Sequence, residues 1–267
     1  MKNKFVTVAG VQTVVSSDLD KNLRKTAKLV ERAAKGGAQI ICLQELYRTI
    51  YFPQYKKVDK DSYSETVPGE STRVFSLLAK QYGVVIILPI FEKRKGSYFN
   101  SAVVIDHTGK LLPTYDKVHI QQDPMFYEKN YFEQGKSGYK LYNTKFGKIA
   151  VLICFDQWFP EAARAVTLLG AEIIFYPTAI GNIVGEKGFE GDWHNAWETV
   201  MRGHAIANSV NIVAGNRVGR EDKLKFWGQS FITDSFGKVL KRASSQKEEV
   251  LTASVDLSLN KKIRQAW

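Results

Sequence analysis

Cys154 has the sequence environment of a catalytic nucleophile. It follows an apolar run, residues 149–153, that predicts a buried strand. A helix is then predicted to begin at Pro160 and end at Gly170, because proline favours the first helical position and glycine the position after the last. A thiol at such a strand-to-helix turn faces the crevice where α/β sheets carry their reactive groups. The alternative is a packing role, since free cysteine is among the most buried residue types.

Two ionisable residues also stand at the ends of predicted strands. Glu45 ends the apolar run 39–45, and Lys117 ends the second strand of a predicted hairpin. Cys42, in contrast, lies inside its apolar run, where packing is the expected role. A single lysine is most often a surface charge, but a thiol, a carboxylate and an ammonium together can catalyse acyl transfer.

The chemistry expected of these groups is hydrolysis through a covalent intermediate. A thiol with a pKa of about 8.5 is only a few per cent thiolate at neutral pH, so Glu45 as a base would raise the reactive fraction during attack. As Cys154 attacks a carbonyl or nitrile carbon, the Lys117 ammonium and the backbone N–H of Phe155 would stabilise the developing negative charge. Glu45 would then return the proton to the leaving amine and activate the water that hydrolyses the thioester-like intermediate.

The elements that must position these residues follow a repeated order. Strands are predicted at residues 5–12, 39–45, 84–90, 98–105, 110–117, 149–153, 173–176, 211–215, 229–234, 238–241 and 249–255, and helices at about 19–35, 71–82, 160–169 and 193–208. Residues 46–67, 118–140 and 177–191 are predicted to be long loops. The order is βαβαβ, a hairpin, βαβαβ and further strands. It predicts one α/β domain over residues 1–267, a four-layer α-β-β-α sandwich with the helices outside.

Composition limits the classes of protein to which the chain can belong. Of its 267 residues 44% are apolar, yet no apolar run is long enough to span a bilayer. The two cysteines and four histidines show no metal-ligand spacing and no disulfide framework, so neither a metal nor an organic cofactor is expected. The N-terminus lacks the features of a secretory signal, so the expected location is the cytoplasm.

The formal net charge of +11 is compatible with nucleic-acid binding. The lysines and arginines are nevertheless spread along the chain, and no nucleic-acid-binding motif surrounds their short groups. We therefore interpret the charged side chains as solvated surface groups, and we expect neither nucleic acid nor a membrane as a partner.

Three segments, together with the order Glu45, Lys117 and Cys154, resemble the nitrilase superfamily of carbon-nitrogen hydrolases. They are Cys154-Phe-Asp-Gln-Trp-Phe-Pro-Glu-Ala-Ala-Arg164, Phe175-Tyr-Pro-Thr-Ala-Ile-Gly181 and Asp123-Pro-Met-Phe-Tyr-Glu-Lys129. The resemblance covers nearly the whole chain and is greatest to the N-carbamoylputrescine amidases. It implies a Glu45-Lys117-Cys154 catalytic triad, a second catalytic glutamate at Glu128 that orients Lys117 or contacts the substrate, and a homodimer or larger homo-oligomer.

The resemblance also implies a small ureido or amide substrate. N-carbamoylputrescine would be hydrolysed to putrescine, carbon dioxide and ammonia. Tyr51, Phe155 and Ala179 match positions that line the substrate pocket in similar proteins. Four tryptophans are expected in the core or an interface, namely Trp158, Trp193, Trp197 and Trp227.

One departure from the family concerns recognition of the substrate's ammonium group. Asn182 and Ile183 stand where similar proteins commonly carry Ser-Glu, whose acid is suited to binding an amine. An acid elsewhere in the same loop could replace it, and the candidates are Glu186, Glu190 and Asp192. The alternative substrates are a carbamoyl amino acid, as for a β-ureidopropionase, or an ω-amide. A substrate carboxylate would require a cation, for which Lys187 and Arg202 are candidates.

Two other interpretations of the site remain open. A Cys-His dyad would use His119 or His204 as the base and leave Glu45 and Lys117 without a role. A non-catalytic member would use the pocket for binding or assembly, and the presence of all three triad residues argues against it. Similar proteins usually continue beyond the residues that match 261–267, so the C-terminal extension is expected to be short or missing.

Overall fold

The computed structural model describes residues 4–186 and 191–266. In this part of the chain fifteen strands are found: β1 (Phe5–Gln12), β2 (Ile40–Leu43), β3 (Val85–Arg94), β4 (Ser97–Ile105), β5 (Tyr115–Asp116), β6 (Tyr142–Asn143), β7 (Lys148–Val151), β8 (Ile173–Pro177), β9 (Gly181–Ile183), β10 (Asn211–Gly215), β11 (Val218–Glu221), β12 (Leu224–Trp227), β13 (Phe231–Thr233), β14 (Val239–Arg242) and β15 (Glu249–Asp256). The helices are α1 (Leu19–Lys35), α2 (Glu70–Tyr82), α3 (Pro160–Leu168), α4 (Trp193–Asn208) and α5 (Leu257–Ala266).

Two six-stranded sheets form the centre of the molecule. Sheet one has the order β15-β1-β2-β3-β4-β5, and sheet two has the order β14-β13-β10-β8-β7-β6. In each sheet three strands are parallel, β1-β2-β3 in the first and β7-β8-β10 in the second, and the outer strands are antiparallel. The two halves therefore repeat one arrangement, as the order of predicted elements indicated.

The inner faces of the two sheets share one apolar core. Alternate strand residues point to opposite faces of a sheet, so each parallel strand supplies side chains both to this core and to an outer layer. The shared core includes Val8, Ile40 and Ile87 from sheet one and Ile149, Ile173 and Val213 from sheet two, all fully buried. Sheets one and two thus pack face to face.

The helices cover the outer faces. Leu23 and Val30 of α1 and Phe75 of α2 pack on the outward residues of sheet one, such as Ile41 and Ile86. On the other side, α3 and α4 contact each other and bury Val166, Trp197 and Met201 against sheet two. The layers are α-β-β-α, which confirms the predicted four-layer sandwich.

Three features were not predicted. A small third sheet, β11-β12-β9, lies partly within the segment that was expected to be a loop. Helix α5 follows β15. The predicted second strand of the hairpin, residues 110–117, is reduced to an isolated bridge at Leu111 and the short strand β5. The unpredicted strands have only two to four residues, too few for a periodicity to identify them, whereas α5 has an amphipathic helical pattern that the sequence prediction missed. In the described ranges no helix is both long enough and apolar enough to cross a membrane.

Candidate active site

Cys154 begins a short 3₁₀ helix, Cys154–Trp158, three residues past the end of β7. Its backbone has a φ of 42°, in the left-handed region that residues other than glycine rarely adopt. The Asp156 carboxylate holds this turn, because its Oδ2 accepts the N–H of Ile153 at 2.8 Å and the hydroxyl of Tyr115 at 2.7 Å. The thiol is therefore fixed at the carboxyl edge of sheet two, as predicted.

Lys117 directly follows β5 and lies between two glutamates. Its Nζ donates to Glu45 Oε1 at 2.9 Å and to Glu128 Oε2 at 2.7 Å, and all three side chains are fully buried. Burial alone lowers the pKa of Lys117, but the charges of Glu128 and Glu45 outweigh it and hold that pKa above its usual value. The amine is therefore a fixed ammonium at neutral pH. Burial raises the pKa of Glu128 against the opposing charge of Lys117.

The two oxygens of Glu45 have different surroundings. Oε1 accepts from Lys117 and from the amide Nδ2 of Asn100, the latter at 2.7 Å. Oε2 is buried and has no hydrogen-bond partner among the described residues. A buried carboxylate oxygen without a donor costs free energy, so this atom is suited to accept a proton.

The Cys154 thiol lies in the field of these groups. Burial raises its pKa, and the negative charge of Glu45 raises it further, whereas Lys117 and the backbone N–H of Ala179 oppose the shift. The net pKa is well above that of an ordinary thiol. At neutral pH the sulfur is consequently protonated and would need a base in order to act as a nucleophile.

A cavity of about 680 Å³ opens at the thiol. Its wall consists of Gln121, Asp123, Pro124, Phe126, Cys154, Phe155, Gln157, Trp158, Ala179, Ile180, Gly181, Asn182, Ile183, Glu186, Trp193 and Trp227. Of the sequence-predicted substrate residues, Phe155 and Ala179 are in this wall. Tyr51 is instead buried behind it, where its hydroxyl donates to Glu128 Oε1 at 2.9 Å. Asp123 and Glu186 are the charged residues of the wall within the described ranges.

Comparison with known proteins identifies the family of the chain. The sequence profile of the carbon-nitrogen hydrolases matches residues 5–265. The chain belongs to the carbon-nitrogen hydrolase family. It is 42% identical to the N-carbamoylputrescine amidase of Solanum lycopersicum, over 100% of this chain and 91% of that protein. It is 35% identical to the citrullinase of Francisella tularensis, over 98% of this chain and 93% of that protein. The crystal structure of a carbon-nitrogen hydrolase from Helicobacter pylori G27 superimposes with a TM-score of 0.93 at 39% identity. The match covers 98% of this chain and 93% of that chain.

The two histidines considered for the alternative Cys-His dyad contact groups other than the thiol in this carbon-nitrogen hydrolase. His119 Nδ1 lies 2.7 Å from Asp156 Oδ1, and the His119 ring stacks on Phe159 with 3.6 Å between ring centroids. His204 Nε2 contacts the carbonyl oxygen of Gln157 at 2.9 Å. Both rings help to hold the turn that follows Cys154. Among the described residues, no group of three or more His, Cys, Asp or Glu is arranged to hold a metal ion.

The tryptophans of the hydrolase follow the sequence interpretation only in part, since a core or interface position was predicted for each. Trp158 and Trp193 line the cavity and are not fully buried, whereas Trp227 lines the cavity and also belongs to the buried core. Trp197 is fully buried, as predicted, and donates to Gln157 Oε1 at 3.0 Å. Residue type alone does not distinguish these positions, because an aromatic ring packs equally well in a core and in a cavity wall.

The charged residues of the 177–202 region that were considered for substrate recognition lie in different places. Glu186 lies in the cavity wall of the hydrolase. Asp192 caps α4 by accepting the N–H of Asn195 at 3.0 Å, and Arg202 donates to the carbonyl oxygen of Gly237 at 2.9 Å. Two further candidates, Lys187 and Glu190, lie outside the described residues. Of the described candidates, only the acid Glu186 lies in the cavity wall.

Proposed function

We propose that the chain hydrolyses N-carbamoylputrescine to putrescine, carbon dioxide and ammonia. The observation that carries this proposal is the buried Glu45-Lys117-Glu128 cluster next to the Cys154 thiol, at the end of a cavity with acidic wall charges. Relatives at 42% identity that act as N-carbamoylputrescine amidases support it further. In this proposal Cys154 is the nucleophile, Glu45 the base, and Lys117 the group that stabilises charge.

The proposed reaction proceeds in two stages. The sulfur of Cys154 bonds to the ureido carbon while Glu45 Oε2 takes the thiol proton, and the negative oxygen that forms is stabilised by Lys117 and the N–H of Phe155. One C–N bond then breaks, and Glu45 returns its proton to the departing nitrogen. Water, deprotonated by Glu45, releases the remaining carbamoyl group from sulfur. Loss of carbon dioxide from the resulting carbamic acid gives the same final products whichever nitrogen departs first.

The charge of the cavity wall favours a cationic substrate end. Asp123 and Glu186 are both acids, and no lysine or arginine lines the cavity within residues 4–186 and 191–266. Trp158, Trp193 and Trp227 add aromatic surfaces, which attract an ammonium group through their ring faces. A substrate carboxylate, as in N-carbamoyl-β-alanine or an ω-amide of a dicarboxylic acid, would find no described cation there. This wall therefore supports an amine end over a carboxylate end.

Ammonia release from three ureido compounds tests the substrate. We expect kcat/KM to be largest for N-carbamoylputrescine, which carries an amine without a carboxylate. Citrulline, which carries both groups, should follow, and N-carbamoyl-β-alanine, which carries only the carboxylate, should have the smallest value. Preference for N-carbamoyl-β-alanine would overturn the substrate assignment.

Glu186→Gln is expected to raise KM for N-carbamoylputrescine about threefold to tenfold with little change in kcat. Glu186 is exposed, and an exposed ion pair contributes only about 0.2–1 kcal/mol, with somewhat more in an aromatic-lined cavity. Steady-state kinetics at low ionic strength measure the effect. Glu133→Gln removes the same charge from an exposed position outside the cavity wall and serves as the matched control. Equal KM values for the two variants would contradict the role of Glu186.

Iodoacetamide is expected to alkylate Cys154 slowly at neutral pH and faster as the pH rises. The thiolate is the reactive form, and burial together with Glu45 places the pKa above that of a free thiol. Glu45→Gln removes the second of these causes and should move the alkylation midpoint to lower pH. Both measurements use the Cys42→Ala background, so that one thiol remains. A midpoint at or below that of glutathione would contradict this electrostatic description.

We further infer a single hydrolase domain, a cytoplasmic location and self-association. The shared core between the sheets and two free cysteines support the first two inferences. Leu168, Leu169 and Phe236 are large apolar side chains on the surface, and they support the third. Light scattering coupled to size-exclusion chromatography would measure the oligomeric state.

A further inference from the structure

The catalytic candidates are divided between the two sheets. Glu45 follows β2 and Lys117 follows β5, both in sheet one, whereas Cys154 follows β7 in sheet two. The separation of carboxylate and thiol therefore depends on contacts that join the two sheets. A misplacement of about 1 Å can cost about a hundredfold in rate, so such contacts affect catalysis directly.

Arg217 makes contacts of this kind. It stands two residues past β10 of sheet two and is fully buried. Its Nη2 donates to the backbone carbonyl oxygens of Glu45 at 2.9 Å and Leu46 at 3.0 Å, both at the end of β2 in sheet one. Both terminal nitrogens also lie 3.3 Å from the carbonyl oxygen of Thr49. The side chain thus joins one sheet to the backbone of the candidate base in the other.

The carboxylate that pairs with this guanidinium extends the connection between the sheets to further residues of the site. Arg217 Nη1 donates to Glu221 Oε1 at 2.6 Å, and Glu221 Oε2 accepts the backbone N–H of Tyr51 at 2.6 Å. The Tyr51 hydroxyl in turn donates to Glu128, which binds Lys117. One buried arginine is therefore connected to both carboxylates that contact the catalytic ammonium.

The chemistry of these contacts requires arginine. A planar guanidinium carries five N–H donors in a fixed fork, whereas lysine has three donors on a flexible stem, fewer than the four acceptor groups that Arg217 contacts. The segment that it holds is irregular, since Leu46 has a φ of 49°. Such a conformation in a residue other than glycine persists only where surrounding contacts impose it.

We infer that Arg217 is a positioning residue, whose guanidinium ties the end of β2 to sheet two and thereby sets the distance between the Glu45 carboxylate and the Cys154 thiol. This inference rests on the proposed function only in taking Glu45 as the base. Arg217 itself is absent from the cavity wall and acts through the backbone of Glu45.

The test measures the pH midpoint of Cys154 alkylation by iodoacetamide in the Cys42→Ala protein. The charged or ionisable groups that act on this thiol are Glu45, Lys117, Glu128 and Tyr51. Arg217→Lys should let Glu45 move away from the sulfur, so the midpoint should move to lower pH. In the Glu45→Gln background the same substitution should have no further effect, because the charge that it displaces is gone.

A purely structural role gives a different pattern. If Arg217→Lys merely loosened the fold, water would reach the thiol and the midpoint would move equally in both backgrounds. An equal shift, or none in the protein that retains Glu45, overturns the inference. For the proposed substrate, Arg217→Lys should lower kcat about tenfold to a hundredfold, with a smaller change in KM. The alkylation result does not depend on the substrate, so failure of the proposed function is recognised separately.

Two further variants complete the experiment. Arg48→Lys changes an arginine of the same segment that pairs with Asp20 and Glu70 near the surface, and it should leave the alkylation midpoint in place. If Arg217→Lys fails to fold by circular dichroism, Glu221→Gln retains an acceptor for Tyr51 and weakens only the anchor. It should give a smaller shift in the same direction, again absent in the Glu45→Gln background.

Discussion

Replacing Cys154 with alanine is expected to lower kcat for N-carbamoylputrescine by about 10⁵-fold or more, because removal of a nucleophile eliminates the covalent route. The side chain is buried in a turn held by Asp156, and alanine occupies the same backbone with less volume. The melting temperature should therefore change little relative to the loss of turnover. Ammonia release and a thermal unfolding curve of the same preparation measure the two effects.

Cys42→Ala is the matched control for this prediction. Cys42 is also fully buried, and burial raises its pKa, but its sulfur contacts only the carbonyl oxygen of Leu43, at 3.3 Å, among the hydrogen bonds of the described residues. Turnover should persist in this variant. Loss of activity in Cys42→Ala with retention in Cys154→Ala would reject the assignment of the nucleophile. Failure of a reactive amide to label Cys154 at any pH would instead favour the non-catalytic interpretation.

Lys117→Gln should affect both turnover and stability. Removing a charged donor from the developing oxyanion typically lowers kcat about 10²–10³-fold. The substitution also leaves two buried carboxylates, Glu45 and Glu128, without their shared cation, which costs about 3–5 kcal/mol when one partner of a buried ion pair is removed. Kinetics and chemical denaturation should therefore both change.

A double variant separates these two effects. Lys117→Gln combined with Glu128→Gln removes one of the unpaired charges and should recover part of the lost free energy of unfolding. It should recover none of the lost kcat, since the ammonium is still absent. Lys129→Gln, at an exposed neighbouring position, should change neither quantity. Recovery of kcat in the double variant would show that Lys117 serves stability alone.

The members of this buried charge cluster are coupled electrostatically. Two carboxylates around one ammonium keep the lysine charged where water is excluded, and the remaining Glu45 oxygen is left free for the thiol proton. Burial and the charge of Glu45 also raise the pKa of the Cys154 thiol. Arg217 extends the same principle, because a buried cation that holds backbone carbonyls sets where the carboxylate lies.

The sequence by itself predicted the order of most regular elements, although β2 and β7 end two residues earlier than predicted. Helix α4 and strand β10 have the bounds predicted from periodicity, and Gly83 ends α2 in the left-handed conformation that glycine favours. Glu45, Lys117 and Cys154 were selected because each ends a predicted strand. The structure brings Lys117 within 2.9 Å of Glu45, whereas the catalytic roles of the three residues remain predictions.

Only the tertiary structure determined which residues line the cavity and which residue contacts the backbone of Glu45. Trp227 reaches the wall from β12 and Glu186 from the loop after β9, and Arg217 reaches the backbone of Glu45 from the segment after β10. None of these positions follows a period of 2 or 3.6 residues that local pattern could detect. Periodicity reports which face of an element is apolar, but the partner of a buried polar group is chosen by packing between segments distant in the chain. For that reason the candidate residues could be proposed from the strand ends of the sequence, and the geometry that surrounds them could not.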